Sequence, residues 1–146
     1  MAITTAFPNS LKKELFEALH NFKLSGGNTF KAALALSTAT LGASTTNYSN
    51  LSGHEVSDSG TNYTTGGSTL TRIDPALDST TGIVDFADLV FSAVTLTARG
   101  TLIYNTTASH AAVYVGDFGA DKTASAGDFT LVFPAAAAAT AILRIA

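Results

Sequence analysis

Hydrophobic and polar residues alternate with a period of two across Ala93–Phe118, AVTLTARGTLIYNTTASHAAVYVGDF. Leu96, Ala98, Gly100, Leu102 and Tyr104 fall on one face, and Thr95, Thr97, Arg99, Thr101 and Ile103 on the other. Polar residues Asn105–Ser109 interrupt the pattern. It then resumes with Ala112, Tyr114, Gly116 and Phe118 opposite Ala111, Val113, Val115 and Asp117. Two such runs around a break of about five residues predict an antiparallel hairpin with a short loop. Each run has one face fit to bury and one threonine-rich face, which suits a sheet covering a core on one side.

Upstream, Leu11, Leu15, Leu19 and Phe22 recur at helical spacing, with Phe16 broadening the stripe. They predict a helix over about residues 9–23, capped by Asn9 or Ser10 and ended by Gly26-Gly27. About three turns of helix are marginal alone. This one must dock, either across the open end of a β core or on a neighbouring subunit. Thr29–Leu36 predicts a strand with Phe30, Ala32, Leu34 and Leu36 on one face. From Thr38 to Gly67 the chain is rich in Ser, Thr, Asn and Gly, with little periodicity. Such a length inside a compact domain is functional or mobile as a rule. We read it as an ordered excursion pinned by Tyr48 and Tyr63, with a short strand near Glu55–Ser57.

Further strands are expected at Ser68–Ile73, stopped by Pro75, at Ile83–Phe86, and at Leu89–Val94, bent at Ser92 into the hairpin. Gly119–Gly127 reads as a polar loop and Phe129–Phe133 as a strand closed by Pro134. The alanine run 135–139 reads as a tightly packed connection rather than a helix, and Ile142–Ile145 as a terminal strand. About eight short strands with regular turn signals predict a mainly β chain: an antiparallel β-sandwich or jelly-roll-like domain with one short N-terminal α-helix. Residues 1–146 make a single domain by length.

Composition narrows the function. Charged residues are only 13%, and the net charge of −3 argues against a sequence-independent grip on nucleic acid. So few charges fit a surface occupied by neighbours better than a freely diffusing monomer. The absence of cysteine removes disulfides, thiolate nucleophiles and cysteine-based zinc sites together. MAITTAFPNS lacks the basic start of a signal peptide, and no apolar run approaches the ~18–20 residues that span a bilayer. The expectation is synthesis in the cytoplasm, with no export signal and no membrane partner.

Chemistry is looked for and not found. His20, His54 and His110 lie in different predicted elements. Asp117, Asp121 and Asp128 lack the ligand spacing and terminal glutamate of an EF-hand. Asp85 and Asp88 bracket Phe86, but glycosidase chemistry needs aromatic sugar platforms, and there is no Trp. No serine stands in a Gly-x-Ser-x-Gly elbow, and Gly66-Gly67-Ser68-Thr69 lacks the lysine of a phosphate loop. No catalytic, cofactor-binding or metal-ligating residue is singled out, and no cofactor is expected. The chain reads as no enzyme.

Taken together, LKKELFEALHNF, GNTFKAALALSTATLGASTTNYS, HEVSDSGTNYTTGGSTLT, VDFADLVFSAVTLTARGTLIYN and VYVGDFGADKTASAGDFTLVFP ending in AILRIA have a familiar order. The chain resembles small virion structural proteins of tailed bacteriophages over nearly its whole length. The most specific parts are Glu55-Val56-Ser57 leading to Gly60, Tyr63 and Gly66-Gly67, and the block from Asp117-Phe118-Gly119 to Asp128-Phe129. The resemblance implies a virion location and a structural role. The leading expectation is a capsid decoration or cement protein that bridges neighbouring capsid subunits as a homotrimer. Its partners would be the major capsid protein and its own copies. The alternative is a tail or fibre component, with Tyr48, Tyr63, Tyr104 and Tyr114 offering glycan-stacking surfaces. Thr38–Gly67 and Met1–Phe7 are the candidate arms toward a neighbour, each weighed against a loop folded back on its own sheet.

Overall fold

The computed structural model of the protein describes residues 2–146. It is mainly β, with two antiparallel sheets and a single short helix near the N-terminus. The helix α1 spans Asn9–Phe16, and the strands are β1 (Phe30–Ala35), β2 (Ser68–Thr69), β3 (Arg72–Asp78), β4 (Thr81–Phe86), β5 (Leu89–Asn105), β6 (Ala111–Leu131) and β7 (Leu143–Ile145). One sheet has the order β2-β1-β5-β6 and the other β3-β4-β7. The chain crosses between them at Leu70–Thr71, so the single strand expected over Ser68–Ile73 is divided between two sheets.

The main core lies between the sheets. Phe30, Ala32 and Leu34 face it from β1, as their alternation predicts. A chain of rings connects the layers: Phe22 stacks on Phe30 at 4.7 Å between centroids, and tilted pairs follow, Phe30 with Phe86 of β4 at 5.8 Å and Phe86 with Phe133 at 5.8 Å. Burying each such ring contributes roughly 1.5–3 kcal/mol. A second core forms on the other side of β1, where Ala33 and Ala35 pack with Leu41, Leu51, Leu102 and Val115.

Serving both cores requires the long hairpin strands to change face. Leu96 and Ala98 lie in the main core, whereas Leu102 and Tyr104 lie in the second. The pairing shifts between Ala98↔Lys122 and Gly100↔Asp117, so Arg99 stands opposite the four residues 118–121. A shift of this kind moves every later side chain to the opposite face. A second shift between Ile103↔Tyr114 and Tyr104↔Ala112 leaves Val113 unopposed and turns it into the main core. The unbroken two-residue period expected across Leu96–Tyr104 and Ala112–Phe118 is therefore corrected at these two bulges. Gly100 stands at the first; a Cβ there would come within 2.5 Å of the Gly116 carbonyl oxygen and 3.0 Å of Ile3.

Four further expectations are corrected. Gly119–Gly127 is not a loop: it belongs to β6, where Lys122, Thr123 and Ala124 pair with Ala98, Thr97 and Leu96. Pro75 does not stop its strand, because β3 is an edge strand and the proline falls at the register shift between Ile73 and Ala76. The helix ends at Phe16, well short of residue 23. Ala18 adopts φ 55°, and the N–H groups of Leu19 and Ala18 bond the carbonyls of Glu14 and Leu15 in a Schellman closure. The alanine run is an irregular connection as expected, but Ala135, Ala136 and Ala139 are exposed rather than tightly packed.

Gly67 tests the crossing geometry. It has φ +72°, and a Cβ there would sit 1.8 Å from the carbonyl oxygen of Ala32. Gly67→Ala is expected to lose about 3 kcal/mol or more of stability in chemical denaturation, because β2 can no longer approach β1.

Candidate interaction surfaces

Asp85 aside, the polar groups that matter most lie on the excursion. Thr38–Gly67 folds back on its own body, with Leu41 and Leu51 in the second core and Val56 and Tyr63 in the main one. The short strand expected near Glu55 appears as a bridge between Ala35 and Glu55, with Val56 N–H donating to the Leu34 carbonyl at 2.9 Å. The Glu55 carboxylate is the pin. One oxygen accepts from the Tyr63 hydroxyl and the Gly66 N–H, each at 2.7 Å, and the other accepts from the Tyr48 hydroxyl at 2.5 Å. Tyr63 accepts in turn from the Leu34 N–H at 3.0 Å, and Tyr104 donates to the Gly66 carbonyl at 2.7 Å. Tyr48 stacks on Tyr104 with centroids 4.5 Å apart. Tyr63 and Tyr104 are buried and held by these bonds, so neither offers a sugar-stacking platform.

The other candidate residues scatter. His54 Nδ1 lies 3.0 Å from Thr38 Oγ1, and His110 packs its ring against Tyr48 and Tyr104. His20 is buried between Glu14 and Asn105. The Asn105 carbonyl oxygen accepts from the N–H groups of Thr107 and Ala108, so its amide nitrogen donates, to His20 Nδ1 at 3.0 Å and Asn28 Oδ1 at 2.9 Å. His20 Nδ1 is thus an acceptor, and Nε2–H donates to Glu14 at 2.8 Å. Asp117 pairs with Arg99 at 3.0 Å and accepts from the Gly119 N–H; those contacts, the N–H first, hold its carboxyl below the usual range. Asp128 accepts from the Ala93 N–H. Asp85 is buried, which pushes its carboxyl up, and its Oδ2 has no partner. Among the described residues, no three His, Cys, Asp or Glu side chains gather as a metal would require. No helix among them is long and apolar enough to cross a membrane.

Two surface features were not legible in the residue pattern. The first is an overhang of the three-stranded sheet. Leu77 pairs with Gly82, and Gly82 with Ile145, in register with the row Val84↔Leu143 that points into the main core. Cross-strand partners share a face, so this row continues the inner face past the core. Leu77 is 73% exposed and Ile145 65%. The opposite wall of the resulting groove is Leu15 and Phe22, next to Phe16, which is 95% exposed. The helical stripe thus docks through Leu11 and Leu15 but leaves Phe16 and Leu19 in solvent.

The second is a cleft of about 770 Å³ between β6 and the segment leading to β7, lined by Phe7, Tyr114, Phe118, Phe129 and Phe133 among others. Lys122, Arg144, Asp117 and Asp128 also border it. The N-terminal arm closes one end. Ala6 and Val115 exchange two backbone hydrogen bonds at 2.9 and 3.0 Å, and Ile3 bridges to Leu41. This arm also folds back on its own body; Met1 lies outside the described residues.

The tyrosines allow a direct test. Burial, and then the Glu55 contact, push Tyr48 and Tyr63 far above the ordinary phenol value; Tyr104 is pushed up to about 12 and Tyr114 is raised by burial. A group whose folded-state pKa is raised contributes stability below its unfolded pKa of about 10 and loses it as pH climbs toward the folded value. Tyrosinate absorbance in native protein is therefore expected to stay low through pH ~10 and rise only with alkaline unfolding, whereas in denaturant all the tyrosines ionise near 10. Glu55→Gln, which replaces an acceptor oxygen with a donor, should lower stability by about 1–3 kcal/mol in the same denaturation assay. Comparison of the chain with known protein families, with curated proteins and with solved structures gives no match.

Proposed function

We propose that this chain is a structural subunit of a tailed-phage virion, a capsid decoration or cement protein that stabilises the head by bridging neighbouring capsid subunits. It acts as a homotrimer among its own copies and the major capsid protein, and it transforms no substrate. The sequence resemblance supports the virion location. The assembly role is supported by one observation: the apolar row Leu77–Gly82–Ile145 continues a core-facing surface, and among the described residues Leu77 and Ile145 stay 73% and 65% exposed. Leu19, Leu24 and Ile73 are exposed as well, at 39–51%. Contiguous exposed apolar surface marks a place where a partner binds. Half of a standard interface is about 800 Å². Repetition over a shell then lets modest contacts hold, because each unit engages several neighbours.

In purified virions this reading gives one copy per capsid protein or a simple fraction of that number. A count of about 3, 6 or 12 assigns the protein to the tail or a fibre instead. In solution, Leu77→Asp with Ile145→Asp is expected to shift sedimentation from trimer to monomer while leaving the circular dichroism of the fold unchanged. A wild-type chain that sediments as a monomer at every concentration, with no gain of mass on capsids, rejects the assembly role.

A further inference from the structure

The outer edge of β6 is covered in steps and then left open. Ala112 N–H bonds the Thr46 carbonyl, Val115 exchanges both its groups with Ala6, and Asp117 N–H bonds Thr5 Oγ1. There the arm turns away, and Thr4 N–H bonds Leu41 instead. From Phe118 to Leu131, among the described residues, β6 makes no backbone–backbone hydrogen bond outside its ladder with β5; side chains take up two of its amides, Gly119 N–H bonding Asp117 Oδ1 and Ala126 N–H bonding Thr95 Oγ1. The 770 Å³ cleft runs along this same stretch. Its lining includes sequence neighbours such as Asp117 with Phe118 and Thr130 with Leu131. Neighbours in a strand point to opposite faces, so the cleft follows the edge of the strand rather than one side of the sheet. A compact apolar molecule would leave the edge amides unpaired; an extended chain would satisfy them.

The charges at the rim select the partner. Asp117 is committed to Arg99 and Gly119, and Asp128 to the Ala93 N–H. Among the described residues, Lys122 is exposed and enters none of the ion pairs, and Arg144 donates to the Ala139 carbonyl. We propose that the cleft receives an extended segment of another polypeptide, added antiparallel to β6 beyond the N-terminal arm, with alternating apolar side chains in the cleft and carboxylates at Lys122 and Arg144. The arm shows the geometry at Ala6–Val115; strand addition of this kind draws affinity from main-chain bonds and specificity from alternate side chains. The inference rests on the edge and the cleft, and it holds whether or not the protein belongs to a virion.

The test uses the full chain, isotopically labelled, and an acetylated, amidated nine-residue peptide alternating valine and glutamate. Controls are the peptide alternating valine and lysine and an N-methylated version that cannot pair. Hydrogen exchange of amides in residues 118–131 is expected to slow at least about tenfold with saturating glutamate peptide, and not with the methylated one. Lys122→Glu, at an exposed position, should weaken the glutamate peptide by about three- to tenfold and improve the lysine peptide. Absence of protection at millimolar peptide, or changes confined to another surface, overturns the proposal. So does protection that grows with protein concentration without peptide, which would make the occupant a second copy of this chain.

Discussion

Where β1, β5 and the beginning of β6 meet, the four-stranded sheet is buried on both faces, and only one of them is covered by the other sheet. The second covering layer is irregular chain: the N-terminal arm and the excursion between β1 and β2. Irregular backbone cannot be buried unless its peptide groups find partners. That constraint explains the composition of the excursion. Asn47 and Asn50 cap the turn at Tyr48–Leu51 reciprocally, and Thr45 accepts from the Gly42 N–H. Short polar sidechains bonding their own neighbourhood are what such a layer needs.

Two polar clusters, one half-buried around Glu55 and one buried around Asn105, then lock that layer and the helix to the sheet. Glu55 gathers two phenols and one amide from three points of the excursion, and Tyr63 passes the connection to β1 through Leu34. At the other end of the sheet, Asn105 ties β5 to His20 and Asn28, and its own oxygen closes the hairpin turn. Truncating a central member of either cluster would leave several buried groups unpaired at once, which costs more than the single bonds suggest.

How much of this was legible depended on how local the cause was. The face of β1, the hairpin turn after Asn105 and the non-helical alanine run follow from local alternation and turn chemistry, and the structure keeps them. The bulges beside Gly100 and Val113 follow from the need to reach a second core, and no local signal distinguishes them from continued alternation. The helix stops early because Ala18 takes a left-handed turn that aims His20 at Asn105, a partner 85 positions away. Gly119–Gly127 looked like a loop because it is polar and glycine-bearing, yet it pairs with β5, Thr123 meeting Thr97 on the outer face while a single small residue, Ala124 opposite Leu96, is all it buries in the main core. The overhang and the cleft arise only when separate segments are assembled, so residues such as Leu77 and Phe16 carry no mark of exposure in the chain.

Between the core side chains Phe133 and Ala141, the connection from β6 to β7 is fastened largely through its main chain. Asp88 accepts from the Phe133 N–H at 2.8 Å and Asp78 from the Ala138 N–H at 2.6 Å. Two carboxylates grip peptide groups, and the exposed methyls of Ala135, Ala136 and Ala139 contribute little. The identity of those side chains is thus nearly free to vary. Foreign epitopes written into 135–139 would be displayed on the outside of the molecule without disturbing what fastens it.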